Sequence, residues 1–197
     1  MSWARRLSAA VAAVAAWMAY LAGWNYIACA LFITCDVVGR AAFGVSSAAT
    51  VEITGYMLAI GIAWALAHTL ARRAHIRVDV WVNRLPLRLR AALHLLSLLL
   101  LGGFAGFCAW AALGLVDESL LFDAHDNSAL RVPLAIPQAL WAFGIAAFCV
   151  MILILLLQSL LALLLGQPEE LDRLLGARSI NDEAAEALDA IEMARKA

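Results

Sequence analysis

Few residues in this chain have the type and spacing to do chemistry. His68 and His94 fall near the same ends of two consecutive apolar stretches, which is where a bis-histidine haem or a quinone site in a four-helix membrane anchor would need them. No second histidine pair stands at the opposite ends, and a lone histidine at a helix end more commonly makes an interhelical hydrogen bond. His68, His75 and Asp79 are spaced seven and four apart, compatible with one metal-binding helix face. The intervening IRVDVWV alternates with period two, which disfavours a continuous helix there. Glu52 opens an apolar stretch, and a carboxylate at membrane depth is a candidate for ion coupling. In the first turn of a helix behind Thr50 it equally suits the helix dipole, with Thr50 as N-cap. No phosphate loop, nucleophile constellation or paired catalytic carboxylate occurs. The sequence therefore assigns no catalytic, cofactor or metal residue, and no nucleic-acid partner.

The elements that must hold these residues are set by hydropathy. The chain has 197 residues, 65% hydrophobic and 15% charged, whereas a soluble domain is roughly half apolar and about a quarter charged. Its apolar runs exceed the roughly 18 residues that mark a membrane span. Four spans are expected, at about 10–35, 51–71, 91–116 and 137–165, forming an all-α membrane domain over 1–166. A tail follows over 167–197. Arg5 and Arg6 before an apolar core resemble a secretory signal, but the core continues to Cys35, so a retained first span is expected. Pro86 suits the start of the third span. Cys29, Cys35, Cys108 and Cys149 lie in apolar runs without a CxxC and read as small hydrophobes.

Charge then orients the spans. Of fourteen Lys and Arg, only Arg40 and Arg131 fall in the two loops after the first and third spans. The rest precede the first span, crowd the central segment ARRAHIRVDVWVNRLP and its continuation, or sit in the tail. Lys and Arg are retained on the cytoplasmic side, so both termini are expected to be cytoplasmic. Residues 36–50 and 117–136 become the outward loops, the second rich in acids. Asp36 and Arg40 have i,i+4 spacing for an ion pair. The tail patterns as an acidic amphipathic helix, expected to be solvated. Gly102, Gly103 and Gly106 let another helix approach closely, within the chain or from a partner.

The ordered combination of DVVGRAAF, VEITGYML, AHIRVDVWVNRLP and VPLAIPQALW resembles the small permease subunit of tripartite ATP-independent periplasmic (TRAP) transporters, the DctQ-like family, over residues 10–165. The positions that match are Asp36, Gly39, Arg40, Glu52, His75, Arg77, Asp79 and Pro86. The resemblance implies a non-catalytic scaffold subunit in the bacterial cytoplasmic membrane. It implies a large multispan permease as partner, membrane lipid around both, and a periplasmic solute-binding protein delivering an organic acid for sodium-coupled uptake. Arg40, Asp123, Asp126 and Arg131 are then the candidate periplasmic contacts. The haem- or quinone-binding anchor using His68 and His94 is the alternative.

Overall fold

The computed structural model describes residues 2–47, 49–74, 82, 84–127 and 130–176, with 184, 188, 191, 193 and 195 singly. His75, Arg77 and Asp79 lie outside the described residues. Among the described residues, five helices with defined bounds follow one another: α1 (Ser2–Phe43), α2 (Thr50–Ala71), α3 (Leu87–Leu121), α4 (Ala135–Leu164) and α5 (Pro168–Leu175). The first four are long and apolar enough to cross a membrane. At 1.5 Å per residue they measure about 63, 33, 52 and 45 Å, against a hydrocarbon thickness of about 30 Å. The chain is a multi-pass membrane protein.

Two helices run further than the charge pattern suggested. α1 continues through Asp36 and Arg40 to Phe43, and α3 through Asp117 and Glu118 to Leu121. The connections shrink to residues 44–49 and 122–134. Helical geometry persists because the charged side chains at these ends reach water or pair locally, leaving the backbone bonds intact. Gly44 ends α1 with φ 66°, and its N–H bonds back to the Arg40 carbonyl at 3.2 Å. α2, α3 and α4 each end on a left-handed residue, Arg73, Asp123 and Gly166. In each, the following N–H returns to a carbonyl five residues back at 2.9 Å. Glycine takes this conformation without strain; arginine and aspartate do not.

α4 is the centre of the packing. α2 and α3 both lie against it, α1 lies against α2 and touches α4, and α5 covers α3 and α4. The core along these contacts is built of small residues, Ala15, Ala67, Ala91, Ala105 and Ala162, with Phe148, Met151, Ile152 and Leu155 filling between them. Lipid supplies no hydrophobic drive for helix association, so close approach at small residues must supply dispersion contact. α4 itself has no polar stripe; its uniform apolarity fits a helix with neighbours on several sides.

Glycines set the closest approaches. A Cβ at Gly144 would lie 2.7 Å from Ala63 Cβ, so α2 and α4 meet almost backbone to backbone. At Gly61 a Cβ would lie 2.8 Å from the Tyr26 ring, and nearby Asn25 Nδ2 donates to the Met57 carbonyl at 2.6 Å. Gly102 faces Ile152, at 3.1 Å from a would-be Cβ, whereas Gly103 and Gly106 face open space. Of the sequence's GGFAG stripe, one glycine serves the internal contact and two point away from it.

The register has an uneven end. With Ala63 against Gly144 and α2 parallel to α4, Ala71 is level with about residue 152, so α4 extends about 18 Å past it. The start of α3 and α5 accompany that extension. α5 does not stand free in solvent as its acidity suggested. Leu171 and Leu175 are buried in the core, and its carboxylate Asp172 faces α3. Beyond Gly176 the tail is described only at isolated positions.

Candidate functional site

Two groups of organised polar side chains lie at the two ends. At the end holding connections 44–49 and 122–134, Asp36 is the hub. Its Oδ1 accepts the Ser47 N–H at 2.7 Å and the Ser46 hydroxyl at 3.2 Å. Its Oδ2 accepts from Arg40 Nη2 at 2.8 Å. One carboxylate thus ties the last turn of α1 to the approach of α2. Gly39 belongs to the same turn: a Cβ there would lie 3.2 Å from the Val45 carbonyl oxygen, whose residue donates its N–H back to Gly39. The helix itself starts one residue earlier than the sequence suggested. Ala49 is the N-cap without a side-chain bond, and the Thr50 hydroxyl donates to the Ser47 carbonyl at 3.2 Å. Glu52 in the first turn keeps Oε2 buried with no hydrogen-bond partner among the described residues.

The second connection folds on itself. Asp126 N–H bonds to the Val132 carbonyl and Leu134 N–H to the Ala124 carbonyl, both at 3.0 Å, with His125 and Pro133 bridged between them. Asp126 is drawn inward: the Tyr56 hydroxyl donates to its Oδ2 at 2.8 Å, fastening the loop to α2. Asp123, by contrast, has its side chain 93% exposed, and Arg131 is also exposed. Of the four candidate contact residues, Asp123 and Arg131 present charge outward. Arg40 is paired with Asp36, yet its side chain remains 64% exposed. Asp126 is committed to the protein. Tyr56 escaped the sequence reading because its partner lies 70 residues away.

At the other end, Pro86 is the N-cap of α3 with extended backbone, and its carbonyl accepts the Leu89 and Arg90 N–H groups at 3.0 Å. Arg90 then reaches α5: Nε bonds to Asp172 Oδ1 at 2.7 Å and Nη2 to Oδ2 at 2.5 Å. Buried His94 puts Nε2 at 3.5 Å from the same Oδ1. His94 is therefore engaged with α5. His68 has its buried Nδ1 unpartnered among the described residues. The two histidines do not face one another, because α2 and α3 pack on α4 instead of forming a pair. By the contacts of Ala63 with Gly144 and Gly102 with Ile152, His68 is level with about residue 149 and His94 with about residue 160, about 16 Å apart along the bundle. That separation removes the bis-histidine geometry of the haem reading. The metal reading depends on His75 and Asp79, outside the described residues.

The helix faces carry a further pattern. On α1, Trp17, Tyr20 and Trp24 form an edge-to-face ladder, with centroids 5.9 and 6.3 Å apart. All three are more than half exposed. Their indole and phenol donors have no hydrogen-bond acceptor among the described residues. Trp64 on α2 is different: its Nε1 donates to the Leu140 carbonyl at 2.9 Å. α3 shows exposed Phe104, Phe107 and Trp110 beside open Gly103 and Gly106. No catalytic constellation is assembled among the described residues of these faces.

No curated protein and no solved structure matches the chain. The family model for the DctQ component of tripartite ATP-independent periplasmic transporters matches residues 29–162, which takes in the Asp36 turn, all of α2 and α3, and nearly all of α4. The chain belongs to the DctQ family, the small membrane component of TRAP transporters.

Proposed function

We propose that this protein is the scaffold subunit of a TRAP transporter in a bacterial inner membrane, with both termini in the cytoplasm. A larger permease packs on its α1 face and carries out sodium-coupled uptake of an organic acid. Connections 44–49 and 122–134 face the periplasm, where Asp123, Arg131 and the free side of Arg40 meet the solute-binding protein. The Lys and Arg distribution supports that orientation, and exposed charge of both signs suits steering of a soluble partner.

The observation that carries the assembly is the α1 ladder. By the contact of Gly61 with Tyr26, Trp24 is level with the middle of α2 and Trp17 with its end, so the ladder runs from mid-bilayer depth toward the interface. Trp and Tyr ordinarily sit at the membrane–water interface, where their polar tips find water. At mid-bilayer depth lipid offers no acceptor. A neighbouring protein presenting carbonyl or hydroxyl oxygens would satisfy the deeper donors, Trp24 and Tyr20, and cover the rings of the ladder.

The test is a photo-crosslinking residue at position 17 or 24 in cells coexpressing the adjacent permease and binding-protein genes. An adduct with the large permease is expected, and Trp17→Leu combined with Tyr20→Phe and Trp24→Leu should reduce co-purification. Undiminished co-purification together with crosslinks to lipid alone would place the interface elsewhere.

A further inference from the structure

A groove of about 520 Å³ lies where the start of α3, the end of α4 and α5 converge. Ala92, Leu95 and Leu99 form one wall, Leu163 the other, and Leu171 of α5 its base. Its walls remain open: Leu96, Leu99 and Leu163 are each about half exposed. At its mouth stands Arg88, exposed and without a hydrogen-bond or ion-pair partner among the described residues. Arg90, two residues on, is turned the other way and consumed by Asp172.

We infer that this groove binds one anionic phospholipid, with the phosphate on Arg88 and an acyl chain along α3. Three features select that occupant. The first is charge: an unengaged guanidinium stands in the first turn of α3, where the helix dipole adds positive potential. The second is chemistry: beyond Arg88 the lining is aliphatic, with no polar group to recognise anything but hydrocarbon. The third is length. From Arg88 to Leu99 the groove follows α3 for about 16 Å, close to half of a 30 Å hydrocarbon core. That is the reach of one leaflet's chain, whereas a partner's spanning helix would need contact along the whole bilayer. α5 supplies the base of the groove, so the Arg90–Asp172 clasp also shapes the lipid site.

The test uses the full chain purified in mild detergent, titrated with phosphatidylglycerol or phosphatidylcholine of identical acyl chains and followed by native mass spectrometry. Phosphatidylglycerol should be retained at about fivefold lower concentration, the effect of one basic residue at an anionic headgroup. Arg88→Gln should abolish that preference, Arg88→Lys should keep most of it, and Arg6→Gln should leave it intact. Ala92→Trp, filling the groove, should lose both lipids; if it fails to fold, the exposed Arg88 variants decide alone. Millimolar inorganic phosphate should not displace the lipid. Equal retention of the two lipids, an Arg88→Gln protein that keeps the preference, or displacement by phosphate would each overturn the assignment. So would crosslinks from position 96 to the large permease with lipid excluded. None of the lipid measurements requires the transporter partners, so the proposed assembly and this site can fail separately.

Discussion

Arg90 and Asp172 meet through two parallel hydrogen bonds, Nε to Oδ1 and Nη2 to Oδ2, and so fasten the short helix α5 onto the beginning of α3. Both side chains are about three-quarters shielded, and His94 stands beside the same carboxylate. Removing one partner leaves the other shielded and unmatched, which costs more than the pair itself contributes. Asp172→Ala is expected to lower stability by about 2 kcal/mol, the scale of a lost hydrogen bond to a charged group. A thermal melt in detergent reads this as a lower Tm, and limited proteolysis should cut first near residue 167. A melt indistinguishable from the parent would mean that Leu171 and Leu175 hold α5 without the clasp.

The contact between Gly144 and Ala63 predicts a contrast between glycines. Gly144→Leu forces α2 away from α4 and should destabilise the isolated subunit by at least the about 1–3 kcal/mol of an overpacked core. Gly103→Leu points into open space and should leave the isolated subunit's stability within about 0.5 kcal/mol of unchanged. Its effect belongs in the assembled complex, where reduced co-purification would mark that face of α3 as covered. A Gly103→Leu protein that fails to fold alone would refute the open position assigned to it.

Asp36 makes a prediction about a loop rather than about chemistry. Asp36→Ala removes the acceptor for Ser47 N–H, the Ser46 hydroxyl and Arg40 together. Hydrogen exchange over residues 44–50 should accelerate, with α4 unaffected. Asp36→Asn keeps an acceptor for Ser47 and should fall between the two. Equal protection in all three proteins would show that the Gly44 backbone bonds fix the turn unaided.

Tyr56 and Asp126 separate stability from docking. Tyr56→Phe deletes the tie between α2 and connection 122–134 and should cost about 1–2 kcal/mol. Asp126→Ala should cost at least as much. Asp123→Asn touches an exposed side chain and should leave the melt alone while reducing uptake in reconstituted transporter, with weaker dependence on salt. If Asp123→Asn transports normally and Tyr56→Phe does not, the shape of the loop matters and its free charge does not.

What the sequence made legible follows from the range of each interaction. The spans are visible because burial in lipid demands long apolar runs, and α2 coincides with its run. Asp36 and Arg40 are visible as a pair because four residues make one helical turn. The second half of Asp36's work is not, since Ser46 and Ser47 reach it only after α1 continues seven residues further. The same acidic and basic residues that pair there read, in isolation, as loop. Gly144 is hidden for the opposite reason: α4 is apolar throughout, so nothing in its pattern shows which side receives α2. The amphipathic start of the tail announces a helix, but Arg90, its anchor, is 82 residues away. His68 and His94 read as a pair only if consecutive spans are neighbours, and the central position of α4 keeps their helices apart.

The stagger between α2 and α4 has a mechanical consequence. A 22-residue helix must spend nearly its whole length in hydrocarbon, while α4 overshoots it by about 18 Å and is just as apolar to its end. Both can be immersed only if the slab of helices leans. Leaning shortens the depth that an apolar run occupies, so a 26-residue run about 39 Å long fits across 30 Å of hydrocarbon. Bilayer thickness then acts as a control on angle. A thinner membrane would press the slab flatter and carry the 122–134 loop sideways over the surface, and a thicker one would stand it upright. Lipid composition would thus change where a soluble protein must land before any residue of the loop is altered.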